Sequence, residues 1–250
     1  GRVLSVEGKA PTSRASWILV LVFVPALGIV LYLLFGEPWI PRNSRVRAAH
    51  LTRGLADLVR AQLQPDHALI PARFQPAFRI CENLADGPVT RDNSAALAPD
   101  SNVAIDWMVR DFDAAQGTIH VLFYIWLADE SGLKVAHALK RAARRGVRCR
   151  VIADGMGSRA LIRSRHWRAM RDAGVELCVS LPLRGGLGFA VGSRVDLRNH
   201  RKIVVVDNRI TWCGSQNCAD PEFRVKPRFA PWVDIMLRFH GPVARQNQLL

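Results

Sequence analysis

A histidine and a lysine two residues apart, His200 and Lys202, carry side chains that suit chemistry at a phosphate group. They immediately precede the apolar run 203–206, which favours a buried strand, and side chains two apart on a strand share a face. An imidazole can attack phosphorus, and a lysine supplies a positive charge for phosphate oxygens. This chemistry requires no metal ion, and we expect neither a metal nor another cofactor.

A predicted hairpin returns a second pair of polar residues to the same place. A turn at Asn208 joins the first strand to another at residues 210–213, so the loop after the second strand should lie near the start of the first. There, the Ser215 hydroxyl and the Asn217 amide can hydrogen-bond the remaining phosphate oxygens. The hairpin therefore predicts one phosphate site built from two sequence segments.

The alternative interpretation is an ordinary strand-end histidine beside a solvated lysine. Against it stands the longer pattern H-x-K-x-x-x-x-D, which ends at Asp207 and is followed by G-S-x-N at residues 214–217. This pattern resembles the HKD signature of the phospholipase D superfamily, and residues 199–220 with 231–234 are similar to bacterial cardiolipin synthases in particular. Asn208 stands where the family usually has glycine, but asparagine also tolerates a left-handed turn.

The resemblance implies an activity and a role for each motif residue. His200 would attack the phosphodiester of phosphatidylglycerol, and Lys202 would neutralise the phosphate. Asp207 would support the geometry of the motif, while Ser215 and Asn217 would hold phosphate oxygens or the local loop. A second phosphatidylglycerol would then take the phosphatidyl group from the histidine, giving cardiolipin and glycerol.

The family needs two HKD motifs, and this sequence has one. The second histidine, which acts as general acid and base, would come from a second HKD half in the same chain or from a homodimer partner. We therefore expect the natural protein to be longer and this chain alone to be inactive or nearly so. Which of the paired histidines attacks first stays open.

An apolar stretch near the start predicts attachment to a membrane. Residues 17–35 carry no charge, and as a helix they would span roughly 28 Å, close to the thickness of a hydrocarbon core. A signal peptide is the rival interpretation, but the run is long and no small-residue cleavage pattern follows. The basic residues after the span favour a cytoplasmic catalytic domain at the bacterial inner (plasma) membrane.

Three regions are expected along the chain. Residues 1–41 form the membrane region and 42–100 a linker and juxtamembrane region, in which residues 47–64 have the spacing of an amphipathic helix. Residues 101–250 form the first phospholipase D-like domain, which is cut short at its end. We also expect the chain to be a fragment at its start, because it begins with glycine.

From about residue 102 the sequence alternates between helix and strand patterns. The predicted helices are 103–115, 132–145 and 159–173, and the predicted strands are 118–126, 147–153 and 175–179. A strand at 234–239 and the opening of a helix at 241–248 follow the hairpin. This order predicts an α/β fold in which a mixed, mostly parallel sheet carries helices on both faces.

The composition limits the partners and the compartment. A formal charge of +14 predicts attraction to a polyanion, either nucleic acid or an anionic lipid surface. The five cysteines form no repeating framework and indicate a reducing compartment. The glycine-rich stretch 184–193 fits neither a P-loop motif nor a dinucleotide-binding motif. The apolar stretch favours lipid over nucleic acid. Two alternatives remain open, a homodimeric single-HKD nuclease or phosphodiesterase and a non-catalytic membrane lipid-binding module.

Overall fold

The computed structural model describes residues 11–32, 36, 70–85, 87–182, 198–223 and 231–248. The chain divides into two compact units, one of residues 1–45 with 183–198 and one of residues 46–182 with 199–250. The predicted amphipathic helix at 47–64 and the glycine-rich stretch 184–193 lie outside the described residues.

In the first unit, the apolar stretch forms two helices, α1 (Pro11–Phe23) and α2 (Pro25–Leu31), where the sequence predicted a single helix over 17–35. The break falls at Val24, whose φ of −137° and ψ of 67° are not helical. Proline lacks an N–H and disfavours a helical conformation in the preceding residue, so Pro25 both ends the first helix and opens the second. No helix among the described residues is both long and apolar enough to cross a membrane.

The second unit is built on a seven-stranded mixed sheet with the order β1-β7-β6-β5-β2-β3-β4. Only the pairs β2–β3 and β3–β4 are parallel, and the other four pairs are antiparallel. The strands are β1 (Ser94–Leu97), β2 (Thr118–Phe123), β3 (Arg148–Asp154), β4 (Glu176–Ser180), β5 (Ile203–Val206), β6 (Ile210–Gly214) and β7 (Met236–His240). The α/β class is confirmed, whereas the prediction of a mostly parallel sheet is wrong.

The antiparallel half follows from a tight hairpin turn. Asp207 and Asn208 have φ values of 50° and 53°, and the Arg209 N–H donates to the Val206 carbonyl at 3.0 Å. Two consecutive left-handed residues make the kind of two-residue turn that joins neighbouring antiparallel strands. The predicted turn is therefore present, and it sets the direction of β6 against β5.

Helices connect the parallel strands, as the alternation predicted. They are α4 (Ser101–Ala114), α5 (Glu130–Arg144), α6 (Arg159–Ile162) and α7 (Arg165–Asp172). The predicted helix 159–173 is split because the Ser164 side chain accepts the His166 N–H and so caps a new helix. Asp100 and Asp129 cap α4 and α5 in the same way.

The main core lies between these helices and one face of the sheet. Alternate residues of β2, including Ile119, Val121 and Phe123, are buried in it together with Phe112 and Trp212. Burying a side chain of this size contributes about 1.5–3 kcal/mol relative to exposure. On the other face, Ala244 of the short helix α8 (Val243–Asn247) packs on Ile203 and Val205. Helices therefore lie on both faces.

The region expected to be a linker contains regular structure. A 3-10 turn at Ala72–Phe74 leads into helix α3 (Gln75–Ala85). Strand β1 also lies before residue 101, and it completes one edge of the sheet by pairing with β7. β1 was not predicted because its residues, 94–97, are mostly small and its pairing partner is more than a hundred residues away.

A partly buried ion pair joins α4 to the antiparallel strands. The Asp111 carboxylate accepts two hydrogen bonds from Arg238 of β7, both at 2.8 Å, and one from the Trp212 indole of β6. Because three donors satisfy the buried carboxylate, the strands that carry the hairpin are fixed against the helical layer.

Candidate functional site

The start of β5 and the end of β6 meet at one edge of the sheet. Ile203 pairs with Cys213 on one side and with Leu122 on the other, so the residues before Ile203 lie beside those that follow β6 and β2. We call this the pocket edge, where β2, β3, β4 and β6 end and β5 and β7 begin. The predicted hairpin geometry therefore brings two sequence segments together here.

A cavity of about 360 Å³ opens at the pocket edge. Four of the five predicted site residues line it, namely His200, Lys202, Ser215 and Asn217. The fifth, Asp207, does not. The other lining residues are Ser101, Tyr124, Ile125, Gln216, Ala219, Asp220, Pro221, Phe223, Trp232 and Asp234.

The imidazole of His200 is held by stacking. The Tyr124 ring lies 3.9 Å from it, centroid to centroid, with 19° between the planes. With the described residues, the ring nitrogens of His200 make no hydrogen bond. They are therefore available for attack on an electrophile or for proton transfer.

Lys202 lies beside the histidine. Its ammonium group donates to the His200 carbonyl at 2.5 Å and lies 5.9 Å from the Tyr124 ring centroid. Partial burial lowers the pKa of Lys202, while the Asp234 carboxylate opposes that shift by favouring the charged form. The positive charge is thus placed inside the cavity and is supported by a nearby carboxylate.

The Ser215 hydroxyl is occupied by protein partners. It donates to Asp234 at 2.7 Å and accepts the Ile235 N–H at 3.0 Å. Because its single proton is committed to Asp234, Ser215 holds the loop and the carboxylate in place and does not present a donor to the cavity. Of the two roles expected for Ser215, this geometry favours loop support.

Asn217 presents its amide in a fixed orientation. Its side-chain oxygen accepts the Ile125 N–H at 3.1 Å, which assigns the NH2 group to the other side. Among the described residues, this NH2 group donates to no acceptor. It is a donor available to a phosphate oxygen in the cavity.

Asp207 lies at the far end of β5, in the hairpin turn. Its carboxylate accepts three backbone N–H groups, from Gln116, Gly117 and Thr118, at 2.9, 2.8 and 2.7 Å. Burial alone would raise the pKa of Asp207, but these three donors outweigh it and the pKa is lowered. Asp207 therefore fastens the hairpin to the start of β2 and touches no group in the cavity.

Gly214 allows β6 and β7 to approach closely next to the site. A Cβ built on it would lie 2.0 Å from the Ile235 carbonyl oxygen and 3.0 Å from the Met236 Cα. Only glycine fits this position, which explains why glycine precedes the serine in the motif. The close approach places Ser215 within reach of Asp234.

A pair of carboxylates ties the cavity loop to α5. Asp220 accepts the Glu130 and Ser131 N–H groups, while Asp129 accepts the Asp220 N–H at 2.9 Å. Burial raises the pKa of Asp129 and would also raise that of Asp220, but hydrogen bonds from the hydroxyl and N–H of Ser131 lower the pKa of Asp220 overall. The loop that follows Asn217 is therefore anchored by the first turn of a helix.

The cysteines near the site do not form a metal centre in the part of the chain that the structure describes, where no group of three His, Cys, Asp or Glu side chains converges. Cys218 is buried and Cys213 half-buried, and burial raises the pKa of both thiols. Both remain free thiols.

Of the ten other residues that line the cavity, Tyr124 and Asp234 interact directly with predicted site residues, and neither was predicted as a site residue. Tyr124 follows β2 and Asp234 precedes β7, so their proximity to His200 and Lys202 depends on the order of strands in the sheet. A polar or aromatic residue at a strand end was visible in the sequence, but no local pattern connected it to residue 200.

The sequence matches two protein families. Residues 108–226 match the family described as "Cardiolipin synthase, PLD-like domain", and residues 2–37 match "Phospholipase_D-nuclease N-terminal". The first match covers the helices and strands from within α4 to the loop after Asn217, and so includes all five predicted site residues.

Curated relatives extend the similarity along almost the whole chain. Cardiolipin synthase A of Edwardsiella ictaluri is 34% identical over 250 residues, which cover 97% of this chain and 50% of that protein. Cardiolipin synthase A of Pectobacterium carotovorum subsp. carotovorum is also 34% identical, with the same two shares. The chain thus spans about half the length of the curated relatives it matches.

A solved structure, NucT from Helicobacter pylori, is 15% identical over 63% of this chain and 90% of its own, with a TM-score of 0.42. The family match shows that residues 108–226 are a phospholipase D-like domain of the cardiolipin synthase type, and the curated relatives show that the chain is similar to cardiolipin synthases along almost its whole length.

Proposed function

We propose that this chain provides one half of the active site of a cardiolipin synthase. The reaction is phosphatidyl transfer between two phosphatidylglycerol molecules, giving cardiolipin and glycerol. The observation that carries the proposal is the imidazole of His200, which is stacked on Tyr124 and lies in the same cavity as the Lys202 ammonium group. No described residue forms a hydrogen bond with the ring nitrogens of His200. The curated relatives named cardiolipin synthase A support the choice of substrate.

In the first step, a ring nitrogen of His200 attacks the phosphorus of one phosphatidylglycerol. A P–N bond forms and the P–O bond to the headgroup glycerol breaks, so that glycerol leaves with a proton from a second histidine. In the second step, that histidine removes a proton from the headgroup hydroxyl of another phosphatidylglycerol. The hydroxyl oxygen attacks phosphorus, the P–N bond breaks, and cardiolipin is released.

The other site residues stabilise charge or position the groups that do. The Lys202 ammonium group and the Asn217 NH2 group interact with the phosphate oxygens as negative charge develops on them. Ser215 and Asp234 hold the loop and support the charge of Lys202. Asp207 acts at a distance, by fixing the hairpin to β2.

The second histidine must come from another HKD motif, supplied by a second half in the same chain or by a homodimer partner. The cavity of this half is open, and the exposed His200 at its margin leaves room for a facing histidine. A complete site would then place one histidine on each side of the phosphate.

We further propose that residues 17–35 hold the protein in the bacterial inner membrane, with the catalytic domain in the cytoplasm. The apolar side chains of α1 and α2 support this because they face solvent and not a core, among them Val22, Phe23 and Leu27. The match of residues 2–37 to an N-terminal family domain also supports a distinct role for this segment.

The experiment is transphosphatidylation of labelled phosphatidylglycerol by the complete natural chain, compared with His200→Ala. We expect His200→Ala to abolish cardiolipin formation while binding to liposomes stays nearly unchanged. A variant that still forms cardiolipin would contradict the role of His200. Robust transfer by residues 1–250 alone, under dilution that excludes dimers, would contradict the need for a second motif.

The nuclease alternative is tested in the same preparation. The net charge of +14 would also suit a nucleic-acid backbone. Salt-sensitive cleavage of DNA that depends on His200, without transfer to lipid, would replace the proposed function with a phosphodiesterase.

A further inference from the structure

Exposed apolar side chains concentrate at the pocket edge. Among the described residues from 87 onward, seven large apolar side chains are exposed, and five of them lie in loops at this edge. These five are Met156 at 46%, Leu181 at 45%, Trp232 at 47%, Val233 at 92% and Ile235 at 55%. Apolar residues exposed singly are common, but a group gathered on one side of a domain marks an interaction surface.

Val233, the most exposed of the five, is kept in solvent by hydrogen bonds of the neighbouring backbone. The Trp232 N–H donates to the Pro221 carbonyl, and the Ser215 N–H donates to the Ile235 carbonyl at 2.9 Å. These bonds fix the chain on both sides of Val233. Its exposure therefore follows from an anchored backbone that directs an apolar side chain into solvent.

Two arginines that pair with no described residue lie at the same edge. Ser158 donates its hydroxyl to the Tyr124 carbonyl, so α6 starts next to the cavity, and Arg159 and Arg163 at its two ends are exposed. Neither forms an ion pair or side-chain hydrogen bond with the described residues. By contrast, Arg141 and Arg150 are paired with carboxylates elsewhere on the domain.

We propose that the pocket edge docks onto the surface of an anionic bilayer. Trp232, Val233 and Ile235 enter the interface between headgroups and acyl chains, where tryptophan and aliphatic side chains are stable. Arg159 and Arg163 bind the lipid phosphates around them. This docking extends the proposed function, because it would bring the headgroup of a bilayer lipid to the cavity without removing the lipid from the membrane.

The combination of side chains favours lipid over nucleic acid. Unpaired arginines alone would suit either polyanion, but interfaces with nucleic acid are polar and strongly charged. Val233 and Ile235 would gain nothing against a phosphate backbone, whereas burial of their apolar surface at a bilayer is favourable. The apolar residues therefore decide the class of partner.

The test is the depth of a nitroxide label at position 233 in the complete natural chain. Val233→Cys is labelled in a background that carries Cys81→Ser, Cys178→Ser and Cys213→Ser, and Asn208→Cys provides a control label at the opposite edge of the sheet. On phosphatidylglycerol vesicles, we expect label 233 to gain contact with oxygen and lose contact with a water-soluble nickel chelate. Label 208 should keep its contact with the chelate. On phosphatidylcholine vesicles, both labels should keep their contact with the chelate.

The arginines are tested by Arg159→Gln with Arg163→Gln, matched by Arg144→Gln with Arg148→Gln. Both double variants remove two positive charges, but Arg144, at the end of α5, and Arg148, at the start of β3, lie at the opposite edge of the sheet. Each basic residue near an anionic surface adds about a fivefold gain in affinity, so the first double variant should weaken the docking affinity reported by label 233 about 25-fold. The matched double should change it little.

Three results would overturn the docking: a label at 233 that stays in water on phosphatidylglycerol vesicles, equal burial on phosphatidylcholine, or equal effects of the two arginine doubles. Immobilisation of label 233 by duplex DNA but not by vesicles would assign the surface to nucleic acid instead. All depth measurements are repeated with His200→Gln, which removes the proposed nucleophile. If the parent protein makes no cardiolipin but both it and His200→Gln still dock, the proposed function fails while the docking surface stands.

Discussion

The Tyr124 ring stacks on the imidazole of His200 at 3.9 Å, and it reaches that position from a different strand, β2. Aromatic pairs of this kind contribute about 0.5–1.5 kcal/mol beyond burial. Because the ring nitrogens of His200 make no hydrogen bond with the described residues, the stacked Tyr124 ring is the main restraint on the imidazole. Loss of the ring should therefore release the imidazole into several rotamers.

We predict that Tyr124→Leu lowers kcat of the complete enzyme by about tenfold, which corresponds to about 1.4 kcal/mol of lost positioning. Tyr124→Phe keeps the ring and should stay within about threefold of the parent. The measurement is the initial rate of cardiolipin formation at saturating phosphatidylglycerol. Equal losses in the two variants would show that the hydroxyl, and not the stacked ring, is what matters.

The partly buried Lys202 predicts a particular alkaline pH dependence. Since burial lowers its pKa, activity should decline with rising pH at a lower pH than for an ordinary lysine. Asp234→Asn removes the negative charge that opposes this shift, so the pKa of Lys202 falls further and the decline moves to still lower pH. The rate is measured from neutral to alkaline pH in parent and variant.

A useful control is Lys202→Arg, because a guanidinium keeps its charge over the whole range. Its residual activity should lack the alkaline decline. If parent and Asp234→Asn declined at the same pH, Asp234 would have no electrostatic role at Lys202.

Substitution of Asp207 should affect the folding stability of the protein more than it affects the reaction in the cavity. Asp207→Asn weakens three hydrogen bonds to backbone N–H groups, and we expect a loss of about 1 kcal/mol at pH 7, discounted because the turn is partly open to solvent. The pKa is lowered in the folded state, so this stabilisation is complete above the unfolded pKa of about 4 and disappears as pH falls through the folded pKa.

Urea unfolding at pH 7, 5 and 3 measures the difference between Asp207→Asn and the parent. The gap should be constant between pH 7 and 5 and should shrink at pH 3. Asp172→Asn, at the exposed end of α7, is the matched removal of a carboxylate and should leave stability nearly unchanged. A gap that grows as the solution becomes more acidic would refute the assigned hydrogen bonds.

Gly214 should not accept even a methyl group. Gly214→Ala places a Cβ against the Ile235 carbonyl oxygen and must separate β6 from β7 beside the site. We expect a loss of about 2 kcal/mol or more, which is about 4–8 °C in Tm for a unit of this size. Thermal unfolding checks this, with Gly146→Asn as the comparison, because a Cβ at Gly146 meets nothing within 4 Å. That variant carries only the backbone strain of a φ of +89° and should lose less stability than Gly214→Ala.

The sequence by itself determined the local parts of this protein. The hairpin turn at residues 207–208 and the helices that begin near 101 and 130 follow from turn residues, caps and periodicity, which act within a few residues of the chain. The placement of Ser215 and Asn217 beside His200 and Lys202 also follows, because a two-residue turn fixes the register of the two strands that it joins.

Sheet direction and strand β1 were decided beyond these local signals. Pairings between β7 and β1 or β6 join residues far apart in sequence, and no periodicity encodes which distant strands become neighbours. The break at Val24, by contrast, depended on a single proline within a run that otherwise favours one helix.

Only the tertiary structure decided which distant side chains complete the site. Tyr124 and Asp234 reach His200 and Lys202 because the order of strands places the end of β2 and the start of β7 at the pocket edge. Asp207, close to His200 in sequence, lies at the other end of a strand, because a strand extends about 3.3 Å per residue and carries its two ends apart. Sequence distance sets local geometry, whereas the packing of the sheet sets which groups share a cavity.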